Sequence, residues 1–227
     1  AATGKHTVLM DIAQTIALTM GVAWASGINL YAAILMLGVM GATGNLALPA
    51  DLEILSDPMV IGAAAFMYIV EFFTDKVPGV DTGWDSISTF IRIPAGAVLA
   101  AGAIGDVGPA AQLAAAIAGG TLTAGTHATK AGTRVMINTS PEPVSNWFAS
   151  VGEDVAVILG LWTALTHPVL FIVLLVLFIL FMIWALPKLW RAIKTAFGFL
   201  KRNLSDKPKE PAPNKLQSSS SATRPDT

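Results

Sequence analysis

Nineteen consecutive uncharged residues, Pro168–Leu186, dominated by Leu, Ile, Val and Phe, constrain this chain more than any other feature. As a helix such a run reaches across a hydrocarbon core of about 30 Å, and a helix apolar on every side has no stable place at a water-exposed surface. Six further stretches, richer in Ala and Gly, read as spans: Val8–Trp24, Ile28–Thr43, Pro58–Phe73, Phe90–Ile104, Pro109–Thr129 and Phe148–Thr166. The fold class expected is therefore all-α, a polytopic membrane helical bundle of about seven spans. Only 13% of the residues are charged, against roughly a quarter in soluble domains. The absence of cysteine excludes disulfides, thiolate metal sites and cysteine nucleophiles.

The spans occupy residues 1–187. Beyond them, Lys188, Arg191, Lys194, Lys201 and Arg202 fall opposite Leu189, Ile193, Phe197, Leu200 and Leu204 when wound as a helix. Residues 188–204 are expected to form a basic amphipathic helix on an anionic lipid surface, with a solvated charge run as the alternative. Residues 205–227, rich in Pro, Ser and Lys, lack the apolar residues for a core and are expected to be a disordered tail. No basic patch with interleaved aromatics lies outside the spans, so nucleic acid is not an expected partner.

Charge also suggests a topology. The segments Gly44–Asp57, Gly105–Gly108 and Thr166–His167 hold no Lys or Arg, whereas the alternate set contains or abuts Lys76, Arg92, Lys130 and Arg134. By the positive-inside rule the second set is cytoplasmic, and seven spans then place the N-terminus outside and the C-terminus inside. The first span lacks the basic flank of a signal peptide and is expected to be retained. The weak point is Ser26–Asn29, either a tight helical hairpin or a break within one embedded segment. Trp24, Trp84 and Trp147, spaced by 60 and 63 residues, suggest three hairpins followed by a final helix. Interfacial tryptophans explain them equally well.

Ionisable groups at membrane depth cost roughly 2.5–3.5 kcal/mol each on insertion scales, so their grouping is informative. Glu71 and Asp75 lie one turn apart on the third span, followed by Lys76. Asp81 lies just ahead of the fourth, on which Asp85, Ser88, Thr89, Arg92 and Gly96 share a face, His127, Lys130 and Arg134 share one arc on the fifth, and Asn146, Ser150, Glu153 and Asp154 share one on the sixth. These groups are expected to converge at the cytoplasmic ends. Pro94 removes a backbone donor within the fourth span, and the Pro- and Gly-rich stretches Val77–Thr89 and Asn138–Asn146 read as re-entrant or tightly packed loops around a hydrated vestibule.

A bracing network would explain the same residues, with Glu71 or Asp75 facing Lys130 or Arg134 and Arg92 facing Glu153 or Asp154. Six acids against four bases leave a carboxylate surplus that suits a cation or a proton. Conversely, the His127, Lys130, Arg134 arc suits a phosphate or carboxylate headgroup. His127 alone is weak evidence for a ligand, and with only His6 and His167 beside it no paired metal-binding spacing exists, so no metal or other cofactor is expected. Ala114, Ala118, Gly119, Gly120, Ala124 and Gly125 suit close helix packing, and Asn29 is either a helix cap or a site residue.

Several strings are distinctive: Gly27-Ile28-Asn29-Leu30-Tyr31; Glu71, Phe72, Phe73, Asp75, Lys76, Pro78, Gly79, Asp81, Trp84 and Asp85; Arg92, Pro94 and Gly96; and Lys130, Ala131, Arg134, Asn138 to Pro143, Ser145, Asn146 and Gly152 to Asp154. From about Val8 to Leu200 the chain resembles the bacterial multi-pass family known as domain of unknown function 4126. The resemblance implies a bacterial inner membrane and no particular chemistry. The expected function is transport, flipping or ion passage of a charged solute or lipid headgroup. The candidate residues are Glu71, Asp75, Lys76, Asp81, Asp85, Arg92, His127, Lys130, Arg134, Asn146, Glu153 and Asp154. The alternative is a scaffold or assembly subunit, as a homo-oligomer or with a membrane-complex partner. A lipid enzyme is a third class, but no nucleophile and base spacing stands out.

Overall fold

The computed structural model describes residues 2–77, 79–138 and 143–205, with side chains over 11–77, 79–138 and 144–195. Six helices make up the described chain: α1 (Ala2–Ala42), α2 (Pro58–Thr74), α3 (Val80–Ala103), α4 (Pro109–Ile137), α5 (Pro143–Thr166) and α6 (Pro168–Ser205), with a 3-10 turn at Ala50–Ser56. Among the described residues, those up to Ile193 form one compact unit and those from Lys194 onward a second. The expected tail beyond residue 205, the loop residues 139–142 and the apolar face formed by Phe197, Leu200 and Leu204 lie outside the described residues or side chains.

Local sequence explains most boundaries. Asp57 caps α2 by accepting from the Met59 amide at 2.7 Å, with Pro58 at the first helical position. Pro109, Pro143 and Pro168 open α4, α5 and α6 in the same position-tolerant way. Gly108, at φ 97°, supplies a left-handed turn before α4 that a side chain would resist.

Helix α1 is two limbs, not one rod. Asn29 has extended angles (φ −146°, ψ 97°) inside it, and Asp11, Gln14 and Leu18 line the same cavity as Leu46 and Ala47. In one straight helix residues 11 and 42 would stand about 46 Å apart, so the chain folds back at Asn29. Leu18 and Val22 of the first limb share a core with Leu30 and Leu37 of the second, closed by Leu52, Leu55, Leu99 and Ala103. The hairpin at Ser26–Asn29 therefore exists, and with it the described residues form seven helical segments.

One expectation needs correction. Val77–Thr89 is not a re-entrant loop, because α3 is helical from Val80 and runs through Pro94 without ending. Its polar residues Asp81, Asp85, Ser88 and Arg92 recur every three or four positions on the buried face, so polarity here marks the inside of the bundle. Most of the charged groups lie near helix ends as expected, Glu71 in the last turn of α2, Asp81 in the first of α3 and Arg134 in the last of α4, and two lie deeper. Arg92 sits midway along α3 and Asp154 midway along α5.

The bundle is inverted relative to a soluble protein. Arg92 and Arg134 are its largest fully buried side chains, while Phe90 and Met59 are 83% exposed. Phe66 and Phe73 on α2, Phe148 and Trp162 on α5, and Leu177 and Trp184 on α6 also point outward. An apolar exterior around a charged interior suits lipid as the surrounding solvent. Among the described residues four stretches are long and apolar enough to cross a membrane: Asp11–Ala42, Val80–Ala103, Val144–Thr166 and Pro168–Thr195. The turn Ala50–Ser56 and α2, bent by 68°, add a fifth as a broken pair. This is a membrane-type helical bundle.

Small residues bring α3 and α4 together. A Cβ on Gly119 would strike Ala100, one on Gly120 would press on Ala97 at 3.1 Å, and one on Gly96 would strike Thr123. Gly125 and Gly132 make room for Met182 and Leu189 of α6 in the same way.

Candidate functional site: a buried charge cluster at the break in α1

The break at Asn29 leaves backbone groups that no helix satisfies. Asn29 meets part of this need itself, its Oδ1 accepting from the Ala32 amide at 3.0 Å as the cap of the second limb. At the end of the first limb, the Ile28 carbonyl accepts from Arg92 Nη1 at 2.6 Å and from Lys130 Nζ at 3.0 Å. Two cations thus complement the negative end of a broken helix.

Around that point the helices contribute in turn. Glu71, in the last turn of α2, takes Arg92 Nη2 and Lys130 Nζ on its Oε1, the latter at 3.2 Å. Asp75, in the turn that follows, accepts from Lys130 at 2.9 Å. Arg134 forks onto Glu153, with Nε to Oε1 at 3.1 Å and Nη2 to Oε2 at 2.7 Å, and its Nη1 donates to the carbonyls of Asp75 and Asn146, each at 3.1 Å. Asp85 approaches Lys130 only to 3.9 Å.

The remaining predicted residues form a border. Asp154 accepts from Asn29 Nδ2 at 3.0 Å and from the Tyr68 hydroxyl at 3.2 Å. Asp81 is wrapped by the amides of Gly79 and Thr82 and by Asn138, whose Oδ1 in turn accepts from Asn146 at 2.8 Å. His127 Nε2 lies 2.7 Å from Thr89 Oγ1 and 3.1 Å from the Asp85 carbonyl oxygen. A carbonyl only accepts, so the network assigns the proton to Nε2. Lys76, between α2 and α3, donates to the Phe72 carbonyl and to Ser150 and lies over the Phe72 ring. Burial pushes its ammonium below the usual lysine range, against the pull of Asp154 and Asp75.

All twelve predicted site residues therefore converge on one region, Glu153 being the most exposed with 19% of its side chain accessible. The predicted pairing of Glu71 and Asp75 with Lys130 and Arg134 is found. The predicted pairing of Arg92 with Glu153 or Asp154 is not, for Arg92 faces Glu71 and the Ile28 carbonyl while Arg134 takes Glu153. Helix neighbourhood decides this, since α3 packs on α1, α4 and α2 and makes no comparable contact with α5. Not anticipated were Tyr68, Asn138 and the Gly27 and Ile28 carbonyls. Asn138 stands within the motif-rich stretch, but a carbonyl leaves no trace in sequence.

A family model described as domain of unknown function (DUF4126) matches residues 16–188. The chain belongs to that family. In this DUF4126 protein the matched segment contains the break at Asn29 and every cluster residue. Neither the curated proteins nor the solved structures contain a match.

Several buried polar atoms in the DUF4126 cluster have no hydrogen-bond partner among the described residues: Glu71 Oε2, Asp75 Oδ1, both oxygens of Asp85, Asn146 Oδ1, Arg92 Nε and His127 Nδ1. Lys130 directs its three protons at Ile28, Glu71 and Asp75, and Arg134 is engaged on both edges. Spare capacity sits mainly on oxygen acceptors. Among the described residues no set of three His, Asp or Glu is placed to hold a metal ion.

Proposed function

We propose that this protein sits in the bacterial inner membrane with its C-terminus in the cytoplasm and passes a small cation or proton through the bundle by way of the cluster at the break in α1. The observation that carries this reading is the set of unpartnered carboxylate oxygens on Glu71, Asp75 and Asp85, beside a helix interrupted at the same level. Interrupted helices whose ends meet charged side chains at depth are a recurrent device for binding ions in transporters. An anionic headgroup is a poorer fit, because the donors it needs on Lys130 and Arg134 are already used, and it would have to displace Glu71, Asp75 or Glu153 to reach them.

Reconstitution into liposomes loaded with a pH-sensitive dye, with a potassium diffusion potential as driving force, tests this, and radioactive sodium uptake is measured in parallel. Flux above empty liposomes that falls at least several-fold in Glu71→Gln supports the reading. Flux indistinguishable from empty liposomes for both probes overturns it.

A scaffold reading is favoured by a different observation. Arg134 joins α4, the turn after α2, and α5 through three partners, which is what a bracing residue does. Native co-purification of a stoichiometric membrane partner, lost when Arg134 is replaced, supports that alternative. Recruitment of anionic lipid by Lys188 and Arg191 belongs to either reading.

A further inference from the structure

We propose that Asp85 is the proton-binding residue of this cluster and stands protonated in the arrangement described here. This deepens the reading of a cation or proton pathway by naming the carried species and the group that holds it.

The argument is one of donors and charge. Asp85 is 1% exposed and neither of its carboxyl oxygens has a hydrogen-bond partner. The other carboxylates of the cluster all accept at least one hydrogen bond: Glu71 from Arg92 and Lys130, Asp75 from Lys130, Glu153 from Arg134, Asp154 from Asn29 and Tyr68, and Asp81 from Asn138. The nearest cation to Asp85, Lys130 at 3.9 Å, has its three protons directed elsewhere. A buried carboxylate without a donor is far costlier than a buried carboxylic acid, which is neutral and has a proton of its own to give.

Charge points the same way. The charged and titratable groups clustered around Asp85 are Glu71 and Asp75 at the end of α2, Arg92 and Asp81 on its own helix, Lys130, Arg134 and His127 on α4, and Glu153 on α5. With His127 neutral, Glu71, Asp75, Asp85 and Glu153 oppose Arg92, Lys130 and Arg134, one negative charge too many. Adding Asp154 and Lys76 leaves the difference unchanged. Counting Asp81 as well, the cluster holds six acids and four bases, so a proton on Asp85 lowers the surplus from two to one, the charge on Asp81 being held by Asn138 and the Gly79 and Thr82 amides; unpartnered oxygens of Glu71 and Asp75 remain in the same cluster as acceptors. Ionised, Asp85 would compete for Lys130 with Glu71 and Asp75, so gain and loss of this proton is coupled to the contacts that Lys130 makes with the Ile28 carbonyl at the break.

Infrared spectroscopy of the full chain in lipid nanodiscs at neutral pH tests this directly, because a protonated carboxyl group absorbs apart from carboxylates and amides. The expected result is a protonated-carboxyl band in the native protein that is lost in Asp85→Asn and shifts on isotopic labelling of aspartate. Persistence of the whole band in a folded Asp85→Asn, or a native spectrum without any such band, overturns the proposal. Should the variant fail to fold, nuclear magnetic resonance of native protein carrying labelled aspartate carboxyls decides alone: one protonated aspartate is expected, and none overturns it. Both readouts concern proton occupancy, so they are independent of whether liposomes show flux.

Discussion

Arg92 on α3 donates to the carbonyl oxygen of Ile28 at 2.6 Å, across 64 residues of chain, and so closes the end of the first limb of α1 from a different helix. Its other terminal nitrogen meets Glu71. One guanidinium therefore holds a helix break and a buried acid together, a task that suits a planar fork of fixed donors better than a single ammonium.

Replacing Arg92 by Leu leaves Glu71 with Lys130 alone and the Ile28 carbonyl with one donor fewer. Loss of one partner from a buried ion pair costs about 3–5 kcal/mol. The expected outcome is a large fall in the thermal midpoint of the purified protein in detergent. Arg92→Lys should recover only part of it, since an ammonium on a shorter reach cannot serve both acceptors in the same geometry.

Gly27 lets α1 approach α4 closely. A Cβ there would lie 2.6 Å from the Thr126 Cβ and 2.7 Å from the Thr123 carbonyl oxygen, and the latter is backbone that cannot rotate away. Gly27→Ala is expected to destabilise by about 1–3 kcal/mol through overpacking. Gly62→Ala, where nothing lies within 4 Å, should show no such loss in the same unfolding measurement.

Asn29 both caps the second limb of α1 and donates to Asp154. Asn29→Ala is expected to cost about 1–2 kcal/mol from the cap alone. Asn29→Asp preserves the capping oxygen but puts a carboxylate against Asp154, so at neutral pH it should be the less stable of the two, and acidification, by protonating one of the pair, should narrow or reverse the order. Thermal unfolding of both variants at neutral and acid pH checks the sign.

Arg134 and Glu153 meet through two parallel hydrogen bonds. Arg134→Lys keeps the charge yet loses the fork and the bonds to the Asp75 and Asn146 carbonyls, an expected cost of about 2 kcal/mol or more. Glu153→Gln, with 19% of the acid's side chain accessible to relax into, should cost less. A double-mutant cycle between these positions should show clear positive coupling, and strict additivity would contradict the geometry.

Periodicity and charge made much of this bundle legible before any coordinates. The run from Pro168 had only one stable environment, and the Ser26–Asn29 break interrupted an apolar stretch where a turn then occurs. The start of α3 is the exception. Asp81, Asp85 and Ser88 make Val80–Thr89 look too polar to belong to a span, because a hydropathy reading assumes that the inside of a helix bundle is no more polar than its surroundings. Here the reverse holds.

Sequence alone determined the helical membrane class, the segments and the set of charged residues that had to be sheltered from lipid, because hydropathy and helical spacing are properties of local chain. Partnership was decided only in three dimensions. Whether Arg92 meets Glu71 or Glu153 depends on which helices neighbour α3, and close packing at Gly96, Gly119 and Gly120 seats α3 against α4, away from α5. The freed carbonyl of Ile28 and the donor-less carboxyl of Asp85 arise from what those packed neighbours do and do not present, and no reading along the chain contains that information.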